Sequence, residues 1–590
     1  MCGIFLVNSK NNIKLEKNRC LLAAKDLFNR GPDSFKSEFF LNDKLFISNT
    51  VLSITGKLNN NKKLIRSKNK NLAISFNGEI YNYLDLNKKF NSFKTRANKL
   101  SDTELLINLH ENYSTKNVIN KLNGMYAYVI YDIKKKNILI ANDPQGEKNL
   151  YYYENKNFFI ISSTISSILK YLKVYKLNFK TLKNYFYSRH YMPLEETCFN
   201  GIKLFPNGII GNYSLINKKI EIKEYDNPIN WISKKKYNFF NKLSENEMIN
   251  YFEKALIKQL KIMIPNKNFG CIASGGIDST LQAAMISKIK KAKMNLVVNH
   301  HGKDKIIKHI PQFNNYLFPK INILKSNKNI YSKKIKNCYD IVSSPLQTHD
   351  LVGRVQTSEV FKKNKCKVFF SADGCDELLG GQQLYHDLYK NIFNYKYNQS
   401  PYSSIKNLGI NFDNHKVGEY KKKLEKYWKS VFSKYSFLNL KERNIQSSLF
   451  TDYFIQSRNV ANRSNDLIAC NYSIEPRNVY IQKPILKILI NLPLKYKINF
   501  DNPDKKMIQK PLLKKLFTKY FNEKLILPKE GFSGFPNNMK KTDYLLTKKN
   551  LIIKKKKNRK KIYKYIDKNN LNRDVNWKFI NTENFLERFV

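Results

Sequence analysis

Phe269-Gly270-Cys271-Ile272-Ala273-Ser274-Gly275-Gly276-Ile277-Asp278-Ser279 reads as an apolar strand, a glycine-rich turn and the opening of a helix. The backbone N–H groups of such a turn, with the helix N-terminus behind them, form an anion site. Ser274 and Ser279 add hydroxyl donors. Asp278 would repel a phosphate, so its carboxylate suits a Mg2+ ion held against one. No Gly-Lys-Ser/Thr follows, which separates the stretch from a Walker loop. A plain strand-to-helix turn would need neither the hydroxyls nor the acid.

Working outward, a helix over Glu245–Met263 precedes this stretch. Further apolar strands at Met294–Asn299, Ile321–Leu324 and Val368–Ser371 alternate with helical segments. That alternation predicts a parallel sheet with crossover helices. A second glycine-rich block, Ser371-Ala372-Asp373-Gly374-Cys375-Asp376-Glu377-Leu378-Leu379-Gly380-Gly381, follows the last of these strands. Residues from about 385 to 520 read as mainly helical.

Residues 1 to about 165 have a different grain. Short apolar strands at Cys2–Val7, Leu45–Ser48, Leu72–Phe76, Tyr126–Tyr131, Ile138–Ala141 and Phe158–Ser162 are interrupted by helices near Arg19–Phe28 and Thr103–Asn112. This pattern predicts a sheet-on-sheet or αββα core. Pro206-Asn207-Gly208 looks like a hairpin turn. The expected organisation is one unit over 1–210, a linker over 211–244, and a second unit over 245–590.

Composition bounds the function classes. The chain has 590 residues, 105 Lys+Arg against 47 Asp+Glu, and a net charge of +58. The basic residues are spread through both halves with abundant Asn and Ile, which argues for compositional drift rather than a nucleic-acid footprint; such a footprint needs a clustered patch. The run Lys554–Lys561 reads as a solvated segment. The eight cysteines include no CxxC pair, so a structural zinc site is not expected and a reducing, cytoplasmic compartment is. No apolar run reaches ~18 residues, so no membrane span is expected.

Several short blocks carry chemistry. Removal of Met1 would leave Cys2 with an α-amino group of pKa about 8, a general base next to its own thiol. Arg30-Gly31-Pro32-Asp33 is a rigid charged turn. Asn77-Gly78-Glu79-Ile80-Tyr81-Asn82 offers a side-chain amide and an unobstructed N–H, the donors of an oxyanion hole, although Asn-Gly alone is commonly a hairpin turn. Ser101-Asp102-Thr103-Glu104 opens a helix and reads first as a cap.

Met-Cys-Gly-Ile, Arg-Gly-Pro-Asp, Asn-Gly-Glu-Ile-Tyr-Asn, Ser-Asp-x-Glu, Leu-Asn-Gly-Met-Tyr-Ala and the block Asp143–Tyr152 together resemble the class II glutamine amidotransferase domain. The Ser-Gly-Gly-x-Asp-Ser loop, the Ser371–Gly381 block, Ser473–Val479 and Leu527–Phe532 resemble the asparagine synthase domain in the same order. The resemblance implies an α+β N-terminal-nucleophile hydrolase (αββα) domain followed by an α/β ATP-pyrophosphatase domain with a parallel sheet and many helices.

It further implies that Cys2 attacks glutamine, Asn77 and Gly78 stabilise the oxyanion, and Glu79 and Asp102 hold the glutamine, with Asp102 facing its ammonium. Ile272, Ser274, Gly275, Gly276, Asp278, Ser279, Ser371 and Ala372 would line the ATP site. Asp278 and Asp376 would hold Mg2+, and Lys529 stands at the family's catalytic lysine.

The chain departs from the family at four places. Val51 stands where an Arg pairs with the glutamine carboxylate, and Asn142 where an Arg is usual. Asp373, the candidate catalytic acid at this position, replaces the Glu of Ser-Gly-Glu-Gly that serves the acyl-adenylate step, one carbon–carbon bond shorter, and Ser343-Ser344-Pro345 replaces Asp-Glu-Pro. The acceptor is thus open between aspartate and another carboxylate such as a sugar acid, with ammonia-only activity a third outcome. A non-catalytic paralogue is the rival from another class. The expected partners are small molecules, namely glutamine, ATP and the acceptor, with neither nucleic acid nor membrane; a homodimer is an allowed state.

Overall fold

The computed structural model describes residues 2–56, 61–91, 100–187, 195–291, 295–299, 320–324, 328–348, 350–381, 414–500, 507–527 and 573–589. The first half is built on two six-stranded sheets. One holds β1 (Gly3–Ser9), β2 (Ser34–Phe40), β3 (Leu45–Val51), β8 (Tyr151–Glu154), β9 (Phe158–Ser162) and β10 (Ile202–Leu204), in the order β10-β8-β9-β1-β3-β2. The other holds β4 (Ile65–Arg66), β5 (Leu72–Ile80), β6 (Gly124–Asp132), β7 (Asn137–Asn142), β11 (Ile209–Ser214) and β12 (Ile220–Glu224), in the order β12-β11-β7-β6-β5-β4.

Period-two alternation sorts the side chains into layers. Ile4 and Leu6 of β1 meet Ala127 and Val129 of β6 between the sheets. Phe5 and Val7 point the other way, onto the helix Lys17–Lys25 and its neighbours. Ile74 and Phe76 of β5 pack outward against Leu105, Leu106 and Leu109 of the helix Asp102–Asn112. Helix, sheet, sheet and helix follow in turn, the αββα arrangement expected. Each fully buried aliphatic side chain contributes roughly 1.5–3 kcal/mol.

The break expected at residue 210 falls inside β11, and β12 carries the second sheet on to Glu224. Pro206-Asn207-Gly208 has the composition of a hairpin turn, with Gly208 at φ +73°. It joins β10 to β11, however, which lie in different sheets, so the turn crosses the sandwich. Residues 228–242 hold a 3-10 turn and a helix rather than an open linker, and Trp231 and Phe240 are buried in the core of the second half.

That second half has a five-stranded sheet of β13 (Phe269–Ile272), β14 (Asn295–Asn299), β15 (Lys320–Leu324), β16 (Val368–Ser371) and β17 (Glu475–Asn478), ordered β15-β14-β13-β16-β17. Every pairing is parallel. The helix Glu245–Met263 starts on a Ser244/Glu247 capping box, which satisfies two otherwise orphaned N–H groups.

The halves share one core: Leu52, Ile54, Tyr81 and Met125 pack with Phe269, Cys271 and Phe370. Charge is buried there as well. Asp466 lies 2.8 Å from Arg30 Nη2 and 2.9 Å from Lys148 Nζ. The two cations hold its carboxyl down at about 2 against an ordinary 3.8, overcoming desolvation. The stabilisation from this triad is therefore complete above pH about 4 and is lost as pH falls toward 2. Asp466→Ala would leave two buried cations without their counter-ion. Chemical denaturation should show a loss of about 3–5 kcal/mol, larger than for Lys148→Ala, which leaves Arg30 to pair the carboxylate.

Candidate active sites

The first site forms where β1, β3 and β5 approach one another. Gly3 pairs with Thr50 across the first sheet. Asn49 then stitches the two sheets together: its Nδ2 donates to the Gly3 carbonyl at 3.0 Å and to the Phe76 carbonyl at 3.1 Å. Because Gly3 follows Cys2 and Phe76 precedes Asn77, this one amide ties the backbone next to Cys2 to the backbone next to Asn77. Asn49 was not singled out in the sequence, where it is one Asn among many.

Cys2 is buried, and burial pushes its thiol up; the N-terminal ammonium and the Leu52 N–H oppose that shift. The thiol is thus protonated until a base takes its proton. Asn77 is fully buried, and among the described residues neither its Nδ2 nor its Oδ1 has a partner. An orphaned buried amide costs about 1–3 kcal/mol, which a ligand aligned with it would recover. Asn77-Gly78 is strand interior here, not a hairpin turn. Gly78 sits at φ +145°, and a Cβ on it would lie 2.1 Å from the Met125 carbonyl oxygen, so only glycine permits β5 and β6 to close.

The turn Arg30–Asp33 braces this site from the side. Arg30 Nε donates to the Cys2 carbonyl at 3.1 Å, and Asp33 Oδ2 accepts the Ser53 N–H at 2.8 Å. Ser101 and Glu104 form a capping box, so the cap reading holds. Asp102 is left to turn inward, accepting from Ile80 N–H at 3.0 Å and Thr103 N–H at 2.8 Å. Burial pushes its carboxyl up to about 6 despite those bonds. Val51, half-buried at the end of β3, brings no charge.

Glu79 has a partner that the sequence did not reveal. Its Oε2 lies 3.0 Å from Arg477 Nη2, and Arg477 Nε lies 2.8 Å from Glu475. Burial pushes the Glu79 carboxyl up and the guanidinium pulls it back. The chain thus places a cation from the second half beside the first site.

The second site lies at the C-terminal ends of β13 and β16. Cys271 pairs with Phe370, so Ile272 and Ser371 are neighbours and both glycine-rich turns leave the sheet side by side. Ligands bind at this edge in open parallel sheets. In the first turn Gly275 takes φ +81°. Ser274 N–H donates to Ser279 Oγ at 3.1 Å, and Gly276 N–H to Ser274 Oγ at 3.3 Å. Gly276 caps the helix Ile277–Lys290, and the Asp278 carbonyl accepts from the Tyr480 hydroxyl at 3.0 Å. Ala372 and Asp373 lie on the second turn, and Asp376 in the short helix Cys375–Leu379 that follows it.

Two cations complete this site, and neither was expected. Lys510 Nζ forms ion pairs with both Asp278 and Asp376. Arg354 grips Asp373 with both Nη atoms, at 3.1 and 2.9 Å, and Asp350 with Nε at 2.7 Å. Asn465 Nδ2 adds a bond to Asp373 at 3.3 Å. The Asp373 carboxylate, expected as a catalytic group, is held in this fork. In a chain with 105 Lys+Arg, no sequence signal separates Arg354 or Lys510 from the rest. Lys529 lies outside the described residues.

Two carboxylates at the edge of an anion turn fit Mg2+, which is commonly held by one or two carboxylates together with substrate phosphates. Among the described residues no cluster of three or more His, Cys, Asp or Glu forms a metal cage, and no helix is long and apolar enough to cross a membrane.

Comparison with known proteins agrees with this layout. Residues 1–226 match the glutamine amidotransferase domain family and residues 252–575 the asparagine synthase family. A putative glutamine-hydrolyzing asparagine synthetase 1 of Methanocaldococcus jannaschii is 26% identical over 356 residues, 59% of each chain. A probable glutamine-hydrolyzing asparagine synthetase of Dictyostelium discoideum is 24% identical over 418 residues, 66% of each chain. A second putative asparagine synthetase of M. jannaschii is 27% identical over 419 residues, 67% of this chain and 78% of that one. The match thus spans less than two thirds of the first two relatives' length. With more than half of its residues covered by one family, and both glycine-rich turns within that stretch, the chain belongs to the asparagine synthase family, preceded by a glutamine amidotransferase domain.

Proposed function

We propose that this chain is a glutamine-dependent asparagine synthase that consumes ATP. The observation that carries the reading is the placement of two neighbouring side chains of β17. Arg477 reaches Glu79 of the first site at 3.0 Å, and Asn478 Nδ2 reaches the Asp373 carbonyl of the second at 2.5 Å. One strand thus braces both sites, as an enzyme passing a nitrogen from one to the other requires.

In the first site, with Met1 removed, the Cys2 α-amine takes the thiol proton and the thiolate attacks the glutamine amide carbon. Asn77 Nδ2 and the Gly78 N–H receive the oxyanion, and Asp102 faces the substrate ammonium. The resulting thioester is hydrolysed to glutamate, and ammonia moves through the interior between the halves. In the second site the turn 274–279, with Ser371, cradles ATP while the acceptor carboxylate attacks its α-phosphorus and pyrophosphate leaves. Ammonia displaces AMP to give the amide. Asp278 and Asp376 would hold Mg2+, which when bound offsets phosphate charge. Lys529, at the family's lysine position, would offset the charge of the tetrahedral species. All eight cysteines are buried thiols, in keeping with a reducing compartment such as the cytoplasm.

A second reading keeps the chemistry and changes the acceptor to another carboxylate, such as a sugar acid. The Arg354–Asp373 fork favours it, since it puts a guanidinium where the family carries a Glu free for the acyl step. AMP release measured with aspartate and with a panel of other carboxylic acids decides between the two. AMP and asparagine from aspartate support the first; AMP only with another acid selects the second.

Cys2→Ala should abolish glutamine-dependent synthesis and leave the ammonium-dependent rate intact. Asn77→Ala should lower the glutamine-dependent kcat by roughly 10²–10³-fold while sparing the ammonium-dependent rate.

Asp102 protonates as pH falls through about 6 and then no longer attracts the substrate ammonium. The KM for glutamine should rise below that pH with kcat little changed. In Asp102→Asn it should already be high at pH 7 and flat through the same range.

A further inference from the structure

We propose that Lys510 is the resident counter-cation of the Asp278–Asp376 pair, displaced from it when a divalent ion binds. The proposal rests on the reading of these two carboxylates as the metal pair and adds what occupies them before metal arrives.

The two acids come from different turns, one after β13 and one after β16, and their carboxylates converge on a single ammonium. Two carboxylates brought together out of bulk water repel strongly unless a cation lies between them. Lys510 supplies one, with its side chain 8% exposed. Each acid neutralises part of its charge.

The backbone is shaped to deliver this lysine. Lys510 stands at φ +52°, in the left-handed region that a branched or bulky residue avoids. Its N–H donates to the Lys497 carbonyl at 2.8 Å. Pro511 then starts the helix Pro511–Thr518, so the residue cannot slide into the helix. Opposite it, a Cβ on Gly381 would lie 2.2 Å from both Lys510 Cε and Asp376 Oδ1. The second glycine of Gly380-Gly381 therefore makes space for the lysine stem.

A divalent ion bridging Asp278 and Asp376 would take the place that Nζ now holds, and the two cations would repel at contact distance. Metal entry therefore requires the ammonium to leave. It leaves readily only toward another anion, and the phosphates of a nucleotide in the adjacent turn provide one. Lys510 thereby makes metal binding depend on nucleotide, since the metal alone must displace a paired cation into a site with no new partner for it.

The test measures Mn2+ binding by the electron paramagnetic resonance signal of the free ion, without nucleotide, on the full chain and its Lys510→Met and Lys510→Arg forms. Lys510→Met should bind one Mn2+ roughly tenfold or more tightly than the unaltered protein, and Lys510→Arg should bind as weakly as the unaltered protein. Equal or weaker binding by Lys510→Met overturns the proposal and leaves the metal pair standing. Absence of Mn2+ binding to every form, even with ATP, removes the metal pair and the proposal with it. Should Lys510→Met not fold, the unaltered protein carries the test through amine labelling read by mass spectrometry. Labelling at Lys510 should rise on saturation with Mn2+, and unchanged labelling overturns the proposal.

Discussion

Arg477 carries its charge at 1% exposure, and only the carboxylates around it make that burial tolerable. Removing either Glu79 or Glu475 would leave the guanidinium short of a counter-charge in a region without water to replace it. Glu79 belongs to the first half of the chain and Glu475 to the second, so this cation is satisfied only when the halves are docked. The same holds for Asp466, which needs both Arg30 and Lys148. Docking is therefore a condition of charge balance as well as of apolar burial. An apolar seam could slide; one with two buried charge clusters has a single register. The first site depends on that register, because Arg30 reaches back to Cys2 and Arg477 reaches Glu79.

The helices that carry these groups show how the register is made. Leu440–Asp452 and Arg463–Asn471 are joined by a π-helical stretch, Tyr453–Asn462. Extra residues per turn rotate the faces of the following helix relative to the preceding one. Beyond it, Asn465 meets Asp373, Asp466 meets Arg30 and Lys148, and Arg463 Nε reaches the Tyr151 hydroxyl at 2.7 Å. Three polar residues within four positions thus serve four partners, one in the second site and three across the seam. Insertions of this kind occur often where function demands a face that regular geometry would not supply.

Much of the scaffold was legible from periodicity, because the residues that form it answer to local rules. Strands Phe158–Ser162 and Val368–Ser371 and the helix Glu245–Met263 begin and end where apolar patterning and capping chemistry place them. The boundary at 210 failed because Pro206-Asn207-Gly208 obeys turn chemistry that serves a hairpin and a sheet crossing equally well. Asn77-Gly78 was ambiguous for the same reason: its local signal is a turn, and only the approach of Met125 shows why glycine is needed inside a strand. Asn49, Arg354 and Lys510 were invisible for another reason. Each acts through a partner between 19 and 232 positions away; Asn and Lys are also too abundant here for one member to stand out, whereas the scarcer Arg354 is hidden by that separation and by lying in no motif. What the motifs revealed were the acids and the nucleophile; what they concealed were the cations and the amide that organise them.

That division bears on the chain's departures from its family. Val51 withdraws a guanidinium from the first site, and Arg354 introduces one to the second. Among the described residues, Arg30 and Arg477 beside the first site are already tied to Asp466 and to Glu79 and Glu475. In the second, Arg354 carries two acids, Asp350 and Asp373, and an incoming carboxylate would have to compete with both. Asp373 and Arg354 therefore fit as a pair. The shorter acid makes room for the fork, and the fork occupies the acid. Around the second turn the short Asp373 side chain is thus matched to an internal ion pair with Arg354, and Asn465 holds the same carboxylate from the helix beyond the π-helical stretch.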